Sequence, residues 1–183
     1  MRFPRTFIFV DLSGFTNYVE TKGDRKATKL LAEFRTVARA IASERGVRID
    51  KFLGDGLMAV AVEQVEGITF AMELDRRAET VCAPLKLRIG IATGDTMLFE
   101  GDDYIGRAPN LAARLCDSAT DIGVLIPTDQ VVNLPQGVQA LPHEAMTLHG
   151  FADPVDVSVL VGQPVIAERN DTSEIWTQRP TSS

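Results

Sequence analysis

Between Asp24 and Arg45 the apolar residues Leu30, Leu31, Phe34, Val37, Ala38 and Ile41 recur every three or four positions, with charges filling the gaps. That spacing predicts an amphipathic helix, and Gly46 stops it. A second stretch, Val65 to Thr80, has the same period. Phe7 to Val10 is an unbroken apolar run that reads as a buried strand. Val47 to Phe52 and Leu57 to Val62 read as strands flanking Leu53-Gly54-Asp55-Gly56, a hairpin with glycines at its turn. Leu85 to Ala92 alternates as a strand. The order is β-α-β-β-α-β, the split pattern of ferredoxin-like sheets. A short Gly/Asp-rich link, a helix from about Pro109 to Ser118, a strand at Ile122 to Ile126 and a last strand near Val155 to Val161 follow. The predicted class is α/β in the broad sense (α+β): a ferredoxin-like βαββαβ core with additional C-terminal strands and helices. Residues 1–165 read as one domain and 166–183 as a loose polar tail.

Composition narrows the function more than the fold. The 183 residues are 45% apolar and 24% charged, ordinary for a globular chain able to bury a full core. A net charge of −6 disfavours a nucleic-acid reader, whose footprint is basic, but leaves a nucleotide enzyme open because metal ions neutralise phosphates locally. Cys82 and Cys116 have no near neighbour of metal-ligand type and do not form a set with His143 and His149, so they read as reduced, mostly buried thiols. The apolar run in MRFPRTFIFV is too short for a signal peptide, and no stretch approaches the ~20 apolar residues of a membrane span. The expectation is a cytoplasmic protein with neither nucleic acid nor membrane as partner.

Three blocks carry candidate chemistry. Asp11 ends the first strand, and Leu12-Ser13-Gly14-Phe15-Thr16 turns away from it. Such a junction offers unpaired backbone N–H groups for a phosphate, and an acid beside it can hold a divalent cation. Taken alone, Asp11 reads equally as a cap on the next segment. Asp55 lies at the hairpin tip, where Asp-Gly is also common turn chemistry. In a β-α-β-β-α-β sheet, however, the first strand and the hairpin are close neighbours, so both carboxylates can share one pair of metals. Asn110 and Arg114, at i and i+4, share a helix face and suit a ribose and a phosphate oxygen, or are two solvated polar residues. Lys51 stands four residues before Asp55 as a donor to a base or as a snorkelling side chain.

FVDLSGFT, DKFLGDGLMAV, GIATGD and DYIGRAPNLAARL, in this order and spacing, resemble the class III adenylyl/guanylyl cyclase catalytic domain, from about Thr6 to Val161. The resemblance implies a freestanding bacterial unit working as a head-to-tail homodimer with active sites shared between chains. Asp11 and Asp55 look like the metal-binding carboxylates for two divalent cations, Mg2+ or Mn2+, with the Leu12 carbonyl as a further ligand. Gly14, Phe15 and Thr16 match the segment that holds the triphosphate. Lys51 and Asp103 match the purine-reading positions, and Asn110 and Arg114 the ribose-orienting and transition-state positions, all four from the opposite chain. The implied reaction cyclises ATP to 3′,5′-cyclic AMP and pyrophosphate by in-line attack of the ribose 3′-hydroxyl. Lys51 can donate to adenine N1 and Asp103 can accept from its amino group, whereas guanine reverses both roles.

The chain departs from the family in three places. The segment Gly94 to Gly106 is short where many relatives carry a longer β-hairpin arm, which leaves Asp102 and Asp103 as competing registers; Asp103 is preferred, seven residues before Asn110. Pro109 replaces a usual β-branched residue, and His149 stands where many relatives have a phosphate-gripping lysine. The competing readings are a degenerate cyclase-like domain that binds nucleotide or a partner without chemistry, a guanylyl cyclase, and a diguanylate cyclase. The last is disfavoured because the hairpin reads FLGDGL and not a GG[DE]EF-type signature.

Overall fold

A computed structural model describes residues 2–101 and 103–165. The expected tail, residues 166–183, and the alternative aspartate, Asp102, lie outside the described residues. The strands are β1 (Phe3–Leu12), β2 (Arg48–Leu53), β3 (Gly56–Ala61), β4 (Leu87–Phe99), β5 (Asp103–Ile105), β6 (Val124–Pro127), β7 (Val138–Met146) and β8 (Val155–Gly162). The helices are α1 (Phe15–Lys22), α2 (Asp24–Arg45), α3 (Gln64–Val81) and α4 (Arg107–Ser118). One sheet runs β2-β3-β1-β4-β6-β8-β7, with β5 folded onto the end of β4. The first four strands stand in the ferredoxin-like order, and the additional strands extend the sheet beyond β4, as expected.

β1 shows how one run of residues serves two layers. Ile8, Val10 and Leu12 point into a core with Leu30, Phe34 and Ile41 of α2 and Ile68, Phe70 and Leu74 of α3. Phe7 and Phe9 point the other way, into a second cluster with Leu111 and Leu115 of α4 and Val157 of β8. Apolar positions on both faces of one strand give the continuous hydrophobic run. Each large side chain buried this way contributes roughly 1.5–3 kcal/mol. Cys82 and Cys116 are buried and free. Glu73 is a buried charge, and it is fully paired: it accepts from Arg45 of α2 at 2.9 Å and from Arg77 of its own helix at 2.5 Å, tying the end of α2 to α3.

The structure adds three elements that the hydrophobic pattern does not announce. α1 has no fully buried residue, and Phe15 and Tyr18 pack against the core only in part, so its apolar period is faint. The Gly/Asp link is the tip of β4 turning into β5, with Glu100 and Gly101 at positive φ in the turn. β7 is an edge strand paired only with β8, which is why it tolerates Pro142 and an irregular register between His143 and Met146. β2 is likewise the opposite edge and is only half-buried, so Lys51 does not sit in a buried strand as its neighbours suggested.

Asp75 on α3 gives a stability test. Burial, reinforced by the Glu79 charge and partly offset by Lys86, pushes its carboxyl up to about 6. A folded-state value above the unfolded one means the ionised form destabilises the fold above pH 6, and the penalty vanishes as pH falls below about 4. Asp75→Asn should therefore raise stability at pH 8 by about 1–2 kcal/mol after screening by the solvent that reaches it. The gain should fade toward pH 4.5 in paired urea melts. An equal gain at both pH values would contradict the burial of the charge.

Candidate active site

Asp11 is the last charged position on β1, with Arg88 of β4 opposite it in register. The Arg88 guanidinium donates to Asp11 Oδ2 and forms an ion pair with it. On the other side β3 begins at Gly56, against which Asp11 packs. A Cβ placed on Gly56 would overlap the Val10 carbonyl and lie 3.3 Å from Asp11 Oδ1. Only glycine lets the hairpin come this close. Asp55, the residue before it, is thereby delivered to Asp11. Burial and then the Asp11 charge hold the Asp55 carboxyl above its ordinary value, with its own backbone hydrogen bond and Arg88 pulling the other way. The hairpin is secured from behind by α2: Arg35 donates to the Gly54 carbonyl at 2.7 Å, and Arg35 and Arg39 both stack on Phe52, 4.8 and 4.7 Å from the ring centre.

This pair fits a divalent cation. The Asp11 charge helps to raise Asp55, a positive charge relieves such a crowding of carboxylates, and Arg88 supplies that charge here. Arg88 Nε is buried without a hydrogen-bond partner. The donors are hard oxygens, as Mg2+ or Mn2+ requires. Among the described residues no set of three His, Cys, Asp or Glu side chains meets, so further ligands must come from backbone such as the Leu12 carbonyl, from phosphate and from water. Beside the pair, Gly14 at φ +80° opens α1, whose first internal bond runs from Tyr18 N–H to the Gly14 carbonyl. Phe15 and Thr16, expected in a free turn, occupy the first turn of a helix, where amides lack intrahelical acceptors.

The remaining predicted residues gather elsewhere. Lys51 donates to Asp103 Oδ1 at 2.8 Å. Both line a cavity of about 310 Å3 with Asn110, Phe9, Met58 and Tyr104. Tyr104 fixes β5 by packing edge-on against Phe7, ring centres 5.2 Å apart, and this places Asp103 over Lys51. Asn110 also lines a neighbouring cavity of about 530 Å3 with Arg107, Arg114, His149 and Phe151. Arg114 is ion-paired to Asp117 at 2.9 Å. Neither Asp11 nor Asp55 lines either cavity. The predicted residues thus fall into two separate groups, the carboxylates Asp11 and Asp55 with Arg88 and the cavity-lining Lys51, Asp103, Asn110 and Arg114.

Arg88 is the residue at Asp11 that sequence reasoning missed. Its signal was the second of two cations in the alternating LKLRIGIA, on the face shared with Gly90 and Ala92. α4 reaches the same spot, because Cys116 donates to the Arg88 carbonyl at 3.3 Å, and burial followed by the Asp11 charge pushes the Cys116 thiol up to about 12.

Comparison with known proteins identifies the family and the fold. Residues 4–153 match the family described as adenylate and guanylate cyclase catalytic domain. An uncharacterised protein of Mycobacterium tuberculosis is 33% identical over 147 residues, 80% of this chain and 38% of that protein. An adenylate cyclase of Streptomyces coelicolor is 32% identical over 121 residues, 66% of this chain and 31% of that protein. The chain therefore spans under two fifths of the length of these curated relatives. Among solved structures, the adenylyl cyclase CyaB from P. aeruginosa is 25% identical with a TM-score of 0.75, covering 93% of this chain and 97% of that one. The guanylate cyclase domain of RhGC from Catenaria anguillulae, at 17% identity, has the same fold with a TM-score of 0.75 over 89% and 99% of the two chains. The fold is thus common to both substrate classes, and among the described residues no helix is long and apolar enough to cross a membrane. The chain belongs to the adenylate and guanylate cyclase catalytic domain family.

Proposed function

We propose that the protein is an adenylyl cyclase that converts ATP to 3′,5′-cyclic AMP and pyrophosphate at sites shared by two copies of the chain. The observation that carries this reading is the separation of the half-sites: Lys51, Asp103 and Asn110 line one cavity, and Asp11, Asp55 and Arg88 meet outside it. A second copy placed head to tail would bring the carboxylate half of one chain to the base half of the other. Leu53, Met97, Leu98, Phe99 and Ile105 support such a partner, since each leaves 36–52% of its surface exposed along the hairpin tips.

In this reading Lys51 donates to adenine N1 and Asp103 accepts from the 6-amino group, so the ion pair between them opens onto the purine. Asn110 orients the ribose. Arg114 leaves Asp117 for the α-phosphate oxygens as negative charge builds there. The free amides of Phe15 and Thr16 hold phosphate oxygens at the positive end of α1. With a divalent cation held at Asp11, Arg88 would be free to turn from that carboxylate to the polyphosphate. His149 lines the neighbouring cavity beside Arg107. Divalent cations held by Asp11, Asp55 and the Leu12 carbonyl supply Lewis acidity toward the 3′-hydroxyl and the leaving pyrophosphate.

The test is chromatographic measurement of cyclic product from ATP and from GTP, with Mg2+ or Mn2+, across protein concentration. Cyclic AMP should dominate, with specific activity rising as the chain dimerises. Lys51→Glu should lower kcat/KM for ATP by about 10-fold or more, the value of a hydrogen bond from a charged group. Predominant cyclic GMP would overturn the base assignment. A dimeric sample without product would make the chain a binding module.

A further inference from the structure

Among the described residues, four buried side-chain N or O atoms find no hydrogen-bond partner, and two of them are the carboxylate oxygens of Asp50. Asp50 lies on β2, an edge strand, where a charge would ordinarily sit in water. Its side chain is instead 0% exposed. Among the described residues its only ionic neighbours are Arg48 at 3.1 Å from Oδ1 and Lys51 at 3.5 Å from Oδ2, both too poorly aligned to be hydrogen bonds. Burying a carboxylate with so little compensation is costly, and such groups are retained where they do something.

The backbone shows what arranges it. β2 and β3 shift register between Ile49 and Lys51, so Asp50 has no partner in the ladder. In a regular strand, neighbours 50 and 51 would point to opposite faces. A bulge re-aims a side chain, and here it brings two consecutive side chains into contact. The Lys51 ammonium consequently stands between a buried carboxylate 3.5 Å away and the Asp103 carboxylate, whose side chain is 67% exposed, 2.8 Å away. One partner is fixed in the sheet; the other sits on the β5 tip.

We propose that Asp50 is a positioning residue for Lys51: from the bulge it holds the ammonium at the mouth of the cavity, so that Lys51 keeps its aim when Asp103 turns from the ion pair to the purine. This rests on the reading of Lys51 and Asp103 as the base-contacting pair. A flexible lysine with only Asp103 to pair with would follow that carboxylate or swing into solvent on substrate entry. Held from behind, it presents a donor where adenine has an acceptor and guanine does not, so Asp50 sets base selectivity without touching the base.

The test compares wild type with Asp50→Asn, which keeps shape and removes charge, by two readouts. NMR of the Lys51 ammonium reports its order without requiring turnover, and steady-state kinetics report KM and kcat for ATP and GTP. Asp50→Asn should mobilise the ammonium, raise KM for ATP about 10-fold with kcat within about 2-fold, and lower ATP-over-GTP selectivity about 10-fold, the value of one charged contact. Unchanged Lys51 order overturns the proposal, as does mobilisation with unaltered selectivity in an active enzyme. A wild type that cyclises nothing sinks the adenylyl cyclase reading, and the NMR comparison then still decides whether Asp50 holds Lys51. If Asp50→Asn does not fold, Asp50→Glu, which moves the carboxylate by one methylene, carries the same comparison, and unchanged Lys51 order in that variant overturns the proposal equally.

Discussion

Asp11→Ala and Asn110→Ala should each lose at least about 10²-fold in kcat, the usual cost of removing one group that meets developing charge, and an equal mixture of the two should recover activity. The recovery follows from two-fold symmetry. Half of the randomly exchanged dimers are mixed, and each mixed dimer has one site carrying both defects and one carrying neither, so about a quarter of wild-type activity should return. The structure supplies the premise, because Asp11 faces Arg88 and Gly56 while Asn110 lines the cavity with Lys51 and Asp103. An Asp11→Ala and Asp55→Ala mixture is the control: both changes lie in the same half-site, every site in a mixed dimer is damaged, and nothing should return. Activity assays after mixing, with chain exchange followed by mass spectrometry, check both. If chains exchange and the first mixture stays dead, the site is not shared.

Gly90→Ala should cost about 3 kcal/mol of stability, the top of the usual overpacking range, because the obstacle is backbone. β4 carries Gly90 directly beneath α4, and a Cβ there would overlap the Ala112 carbonyl oxygen and the Cys116 amide nitrogen. α4 cannot yield by rotating a side chain. It must lift off the sheet, and it carries Asn110 and Arg114 on its outer turns while Cys116 bonds the Arg88 carbonyl beneath. A shift of ~1 Å in positioned groups costs ~10²-fold in rate. Urea denaturation and kcat at saturating ATP measure the two effects. Unchanged stability together with unchanged kcat would mean that α4 does not rest on β4 as described.

Some of the site was legible along the chain because it is written in local pattern. The Gly54-Asp55-Gly56 turn sits between two apolar runs, so the tip and its acid follow from sequence. The spacing of Asn110 and Arg114 needs only the helical period. Arg88 and Asp50 were not legible. Arg88 meets Asp11 only because the β1–β4 register sets it opposite that residue, 77 residues away. Asp50 depends on a one-residue bulge that no turn residue marks. α1 buries Phe15 and Tyr18 only in part, so its period is faint.

The sequence alone determined the segments that carry a strong pattern, since the spacing of apolar positions records what must leave water: the buried strand at Phe7 to Val10, the period of α2, and the acids Asp11 and Asp55 at strand ends. Only the tertiary structure decided which distant groups meet. Strand order and register minimise the free energy of the whole sheet and its two helical layers at once, and that sum is not stored in any local stretch. It set Gly56 against Asp11, paired Lys51 with Asp103 across 52 residues, and kept Asp11 and Asp55 out of the cavity that Lys51, Asp103 and Asn110 line.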